Sequence, residues 1–184
     1  TLLELLNLKI IPIVNENDTV AVEELQTTFG DNDRLAALVT NLLGAQLLII
    51  LSNVDGLYTG SPNGEQTEIL ETVEVVDDTI LSYVEDTNTA LTRGGMNSKL
   101  QAVKIVTSAG ENVVLAKGHD QDVITRILAG ESVGTLFLAE GKTLSPWKRW
   151  LRFSAQPQGT VALDAGACAA IKAEGKSLLA IGIV

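Results

Sequence analysis

The sequence predicts an α/β fold: a three-layer αβα sandwich with a mainly parallel sheet, followed by the start of a smaller β-rich module. Three observations carry this expectation. Aliphatic runs at residues 10–14, 47–51, 113–116 and 135–138 alternate with helical patterns, the rhythm of strands joined by crossover helices. Aromatic residues make up only 4% of the chain, so the runs are Leu, Ile, Val and Ala, which suits strands buried on both faces. Hydrophobic residues reach 46% and charged ones 20% over 184 positions, enough for one full domain and part of a second.

The elements follow in order. Leu2, Leu3, Leu5 and Leu6 form a short helix, and the strand at 10–14 ends in the polar loop Asn15-Glu16-Asn17-Asp18. Gly30-Asp31-Asn32-Asp33 leads into a helix carrying Leu35, Leu38, Leu42 and Leu43, with Asp31 or Asn32 as its cap. The strand at 47–51 ends in Ser52-Asn53-Val54-Asp55-Gly56-Leu57-Tyr58, and a glycine, proline and asparagine turn follows at 60–64. A helix covers 77–84, and a polar loop at 86–95 feeds a long helix with Met96, Leu100, Val103, Ile105 and Val106, closed by Gly110. The strand at 113–116, a helix at 120–128 and the strand at 135–138 complete a first domain at 1–140. A linker at 141–148 then precedes a second module at 149–184, with strands at 150–153 and 159–163, a small-residue helix at 165–173 and a further strand from 177. The chain starts at Thr1 inside an apolar helical pattern and stops at Val184 inside an apolar run, so both ends look cut.

Charge narrows the function classes. The formal net charge is −10, from 23 acidic and 13 basic residues, a field that repels nucleic acid and anionic membranes. Cys168 is the only cysteine, so there is no disulfide framework and no thiolate metal site, and the expected compartment is the reducing cytoplasm. No apolar run is long enough to span a bilayer.

Three loops offer chemistry. In Arg93-Gly94-Gly95-Met96-Asn97-Ser98-Lys99, paired glycines allow an anion to approach the backbone near a helix start, and Lys99 supplies a cation. The bland alternative is a glycine turn before a helix with a surface lysine. Asn15-Glu16-Asn17-Asp18 and Gly30-Asp31-Asn32-Asp33 are acid and amide clusters able to hold an α-ammonium and an α-carboxylate together. Alone, either reads equally well as a capped turn. His119, in a Gly-His-Asp turn, and Cys168, among alanines, read as structural. Trp147 and Trp150 flank Lys148-Arg149 and read as interdomain packing.

Taken in order, Pro12 to Asp18, Phe29 to Asp33, Leu51 to Tyr58, Gly94-Gly95-Met96 with Lys99, and Ser132 to Phe137 resemble the glutamate 5-kinases of the amino acid kinase family. Lys148-Arg149-Trp150, Leu163 to Ala167 and Lys176 to Leu179 are similar to the linker and opening of a PUA domain. The resemblance implies transfer of phosphate from ATP to the γ-carboxylate of L-glutamate, the first committed step of proline synthesis. It implies that Asp18 and Asn32 bind glutamate, with Asn15 shaping the same loop, and that Asp33 orients catalytic lysines. Ser52, Asn53, Arg93, Gly94, Gly95, Met96, Asn97, Ser98 and Lys99 would contact the nucleotide, Lys99 also stabilising charge on the transferring group. Mg²⁺ would arrive with ATP, with no protein metal site and no tightly bound cofactor. Family resemblance further implies a homo-oligomer and feedback inhibition by proline.

Two departures from the family pattern stand out. Thr92-Arg93 stand where Gly-Thr is usual, and Asn53 stands where Asp is common, removing a charge beside the nucleotide. The family's first strand, with its phosphate-contacting lysine, is not in this sequence, so these 184 residues alone are expected to be inactive. The alternatives are an aspartate or acetylglutamate kinase of the same family, or a non-catalytic regulatory or RNA-binding paralogue.

Overall fold

The structure is a computed structural model and describes residues 1–15, 31–60, 67–85, 90–141, 148 and 159–183. Two units are distinguished, Thr1–Ser154 and Ala155–Val184. In the first, α1 spans Leu2–Asn7, α2 Asp31–Leu43, β1 Leu47–Ser52, β2 Thr72–Val73 and α3 Asp78–Glu85. It continues with α4 at Ala90–Thr107, β3 at Asn112–Lys117, α5 at Val123–Leu128 and β4 at Thr135–Phe137.

The four strands form one sheet in the order β1-β3-β4-β2. β1 and β3 are parallel, in register from Leu47 opposite Asn112 to Ser52 opposite Lys117. β2 and β4 are also parallel, but β4 runs antiparallel to β3, with Val114 opposite Leu136. The expected mainly parallel sheet therefore carries one antiparallel pairing at its centre.

Side-chain alternation along β3 explains the layers, because neighbouring residues of a strand face opposite ways. Val113 and Leu115 join a core with Leu48 and Ile50 of β1, Phe137 of β4, and Leu100, Val103 and Val106 of α4. Val114 and Ala116 pack on the other side with Val123 and Ile127 of α5. On α4 the buried positions Leu100, Val103, Val106 and Thr107 recur at helical spacing, a stripe that fixes which face meets the sheet. At Gly134 φ is 73°, and a Cβ there would collide with the Leu115 carbonyl oxygen, so only glycine allows this approach to β3.

Several sequence expectations are corrected. Residues 10–14 form no ladder, and Ile11 and Ile13 are 86% and 96% exposed. Their apolar character promised burial, but a strand also needs a hydrogen-bonding neighbour, and none is present among the described residues. Asp31 and Asn32 lie in the first turn of α2, where acids complement the helix dipole. β2, only two residues long, was not anticipated. The helix expected at 120–128 starts at Val123, after Asp122 with φ 56°.

In the second unit, α6 spans Ala165–Glu174, with the Asp164 carboxylate accepting from the Ala167 N–H and Gly175 closing it at φ 62°. The strands expected at 159–163 and from 177 reduce to a single bridge, Leu163 with Ile183, and a 3-10 turn at Ala180–Gly182. One bridge pairs too little backbone to organise a sheet. The strand expected at 150–153, the tryptophans Trp147 and Trp150, and most of the 141–148 linker lie outside the described residues.

Candidate functional site

The topology decides which side chains meet. α2 turns into β1 through Gly44 (φ 64°) and α4 into β3 through Gly110 (φ 94°). Such short connections send each helix back along the strand that follows it. The N-terminal halves of α2 and α4 thus stand at the carboxyl edge of β1 and β3, where ligands of open α/β sheets bind.

Asp33, in the first turn of α2, faces α4. Lys99 Nζ lies 3.0 Å from Asp33 Oδ2, and both side chains are only 18% exposed. Ser98 Oγ donates to the same carboxylate oxygen at 2.7 Å. A charge pair this shielded is screened less by salt than a surface pair and is held by two packed helices. Its position one residue after Asn32 and two before Leu35 ties it to a second feature. Asn15, Asn32, Leu35, Ala36, Val39, Thr40 and Leu48, with Pro12 and Val14, line a cavity of about 340 Å³. That volume is at the lower end of small-molecule sites, roughly 300–1,000 Å³. Two carboxamides, each with donors and an acceptor, and the Thr40 hydroxyl stand on an otherwise aliphatic wall.

The third cluster follows β1. Ser52 Oγ donates to the Asn53 side-chain oxygen at 3.3 Å. Asp55 accepts from Lys117 Nζ at 2.8 Å and from the Tyr58 hydroxyl at 2.7 Å. The hydrogen bond from Lys117, then that from Tyr58, holds the Asp55 carboxyl below the ordinary carboxylate value. The same bonds to Asp55 raise Lys117 and, together with burial, raise the Tyr58 phenol. The loop itself is pinned: the Leu57 N–H donates to the buried Thr135 Oγ1 at 2.8 Å.

The glycine segment differs from expectation. Residues 90–95 are helical, so Gly94 and Gly95 lie inside α4 and not in a loop ahead of it. Each helical glycine costs about 1 kcal/mol relative to alanine, and the packing of α4 on α2 and the sheet offsets it. Gly95 is exposed, and a Cβ there would meet nothing within 4 Å. Asn97 is also exposed, whereas Met96 packs against the core. The backbone of Arg93 and Gly94 is described but not the Arg93 side chain, and Asp18 lies outside the described residues.

Lys117, Asp55 and Tyr58 were missed as a unit by sequence reasoning. Lys117 is 62 positions from Asp55, and only the β1–β3 register brings them together. The available signal was a lysine ending an aliphatic strand at the ligand-binding edge.

Residues 1–117 match the model of the amino acid kinase family. The chain belongs to that family. The match covers all three clusters, from Asn15 to Lys117. Among curated relatives, the glutamate 5-kinase of Rhodopirellula baltica is 46% identical over 173 residues, covering 94% of this chain and 44% of the relative. The glutamate 5-kinases of Desulfotalea psychrophila and Nitrosospira multiformis are 45% and 44% identical over 100% of this chain and 49% of theirs. This amino acid kinase family chain thus spans about half the length of the curated relatives it matches.

Proposed function

We propose that this chain is part of an enzyme that phosphorylates the γ-carboxylate of L-glutamate with ATP, forming L-glutamyl 5-phosphate for proline synthesis in the cytoplasm. One observation carries the reading. Asp33 adjoins Asn32 in the cleft and at the same time grips Lys99 on the neighbouring helix at 3.0 Å. Acceptor recognition and a transfer-stabilising cation are thereby joined in one rigid contact. The identities to glutamate 5-kinases over nearly the whole chain support glutamate as the acceptor.

In the reaction a γ-carboxylate oxygen of glutamate attacks the terminal phosphorus of ATP, and the bond to the bridging oxygen breaks, releasing ADP. Asn15 and Asn32, with Asp18, hold the α-groups of glutamate so that the γ-carboxylate lies in line. Lys99 neutralises charge growing on the transferring phosphate, and Asp33 keeps its ammonium in place. Ser52, Asn53 and the stretch of α4 from Arg93 to Lys99 contact the nucleotide, with open space at Gly95 for close approach. Mg²⁺ enters as MgATP, held mainly by phosphate oxygens and water.

The same resemblance supports a homo-oligomer restrained by proline and a PUA-like role for the tail at 149–184. An acceptor panel on the full-length protein tests the substrate. ADP release is expected with L-glutamate; release with aspartate or acetylglutamate but not glutamate would overturn the choice.

A further inference from the structure

Lys117 has no role in the scheme above, yet its position is set from several sides. It ends β3 opposite Ser52, and the next N–H, of Gly118, donates to the Ser52 carbonyl at 2.8 Å. Its ammonium meets Asp55 Oδ1 at 2.8 Å, while Tyr58 donates to the other oxygen of that carboxylate at 2.7 Å. The loop carrying Asp55 and Tyr58 is fastened through Leu57 to Thr135, and a Cβ on Gly56 would press to 2.7 Å from Thr135 Oγ1. Asp55 is thus a fixed arm and not a drifting surface acid.

A lysine ammonium has three donors, and Asp55 takes one. The Lys117 side chain stays 37% exposed at the carboxyl edge, beside Ser52. An ammonium held by a carboxylate yet open to solvent suits an anionic oxygen, as a point charge does on phosphate.

We propose that Lys117, positioned by Asp55 and Tyr58, contacts the nucleotide and donates to an oxygen of its phosphates. This rests on the reading of Ser52 and Asn53 as nucleotide contacts. It adds a donor-side cation, distinct from Lys99, contributed by a strand end and not a helix.

The test compares Lys117→Met and Lys117→Arg in the full-length protein, measuring MgATP affinity by displacement of a fluorescent ATP analogue, KM for both substrates, and the melting temperature. Lys117→Met is expected to weaken MgATP binding about tenfold, the scale of one charge-assisted hydrogen bond. Lys117→Arg should recover most of it, and KM for glutamate should stay unchanged. If Lys117→Met does not fold, Lys117→Gln takes its place in the same comparison. A lower melting temperature with unchanged MgATP affinity would make the pair purely structural and overturn the proposal. A wild-type protein that binds MgATP but does not phosphorylate glutamate would refute the acceptor assignment alone, and the binding comparison would still decide Lys117. Absence of MgATP binding by the wild type would overturn both.

Discussion

Lys99 of α4 reaches Asp33 of α2 at 3.0 Å, and both side chains are largely withdrawn from water. The ammonium is therefore placed by helix packing, with Leu100 buried directly after it. Such placement before substrate arrives is what electrostatic catalysis requires, since little reorganisation remains for the reaction step.

Replacing Asp33 by Asn keeps the shape and removes the charge that fixes Lys99. In the full-length protein kcat should fall on the order of a hundredfold. Stability should drop by about 1–3 kcal/mol, because a shielded ammonium loses its partner. Lys99→Met should lower kcat by a similar factor, and the double variant should be little worse than either single one. Additive losses would show that the two residues act separately.

Asn32 stands in the cleft with Asn15. Asn32→Ala should raise KM for glutamate about tenfold, the scale of one or two lost hydrogen bonds to a charged group, and leave KM for ATP near its original value. Steady-state kinetics with each substrate varied in turn checks this. A change confined to ATP would move Asn32 out of the acceptor site.

Thr135→Val deletes the acceptor of the Leu57 N–H at a fully buried position while keeping the volume. The orphaned N–H should cost about 1–3 kcal/mol, read as a lower denaturation midpoint with an unchanged slope. Because the same loop holds Asp55, MgATP affinity should weaken too. A fully stable variant would mean that the loop is anchored elsewhere.

The Asp55 cluster should leave a pH signature. Asp55 titrates below its ordinary value in the fold, so its contribution is complete above about pH 4 and fades as pH falls through the folded value. Lys117 and Tyr58 titrate above theirs, so their contribution is complete below about pH 10 and fades as pH rises further. Melting curves of wild type and Asp55→Asn should therefore differ by a constant amount between about pH 5 and 9 and converge in acid. A gap that widens towards acid would contradict the cluster.

The parts of this fold legible in the sequence are those where side-chain pattern and backbone partner agree. β1 and β3 were readable because LLIILS and NVVLAK lie between long helical patterns. Residues 10–14 carry the same apolar pattern, but pattern records a preference for burial and not the presence of a neighbour. The direction of β4 was hidden because Thr135–Phe137 is short and its pairing with β3 is set by the chain path. Gly94 and Gly95 read as a turn on local preference, and the α2–α4 contact overrides that preference. Asp33, Lys99, Asn15 and Asn32 were found as separate motifs; that Asp33 and Lys99 touch is tertiary information. The partners of Lys117 were hidden for the same reason, since only the strand register places it beside Ser52.

The central claim is phosphoryl transfer to the γ-carboxylate of glutamate, supported by Lys99 on its Asp33 anchor. The most direct measurement traps the acyl phosphate: full-length protein, MgATP and L-glutamate with hydroxylamine, followed by quantification of γ-glutamyl hydroxamate. The expected result is hydroxamate that requires both substrates and falls on the order of a hundredfold or more in Lys99→Met. ADP release without hydroxamate, or hydroxamate formation undiminished in Lys99→Met, would contradict it.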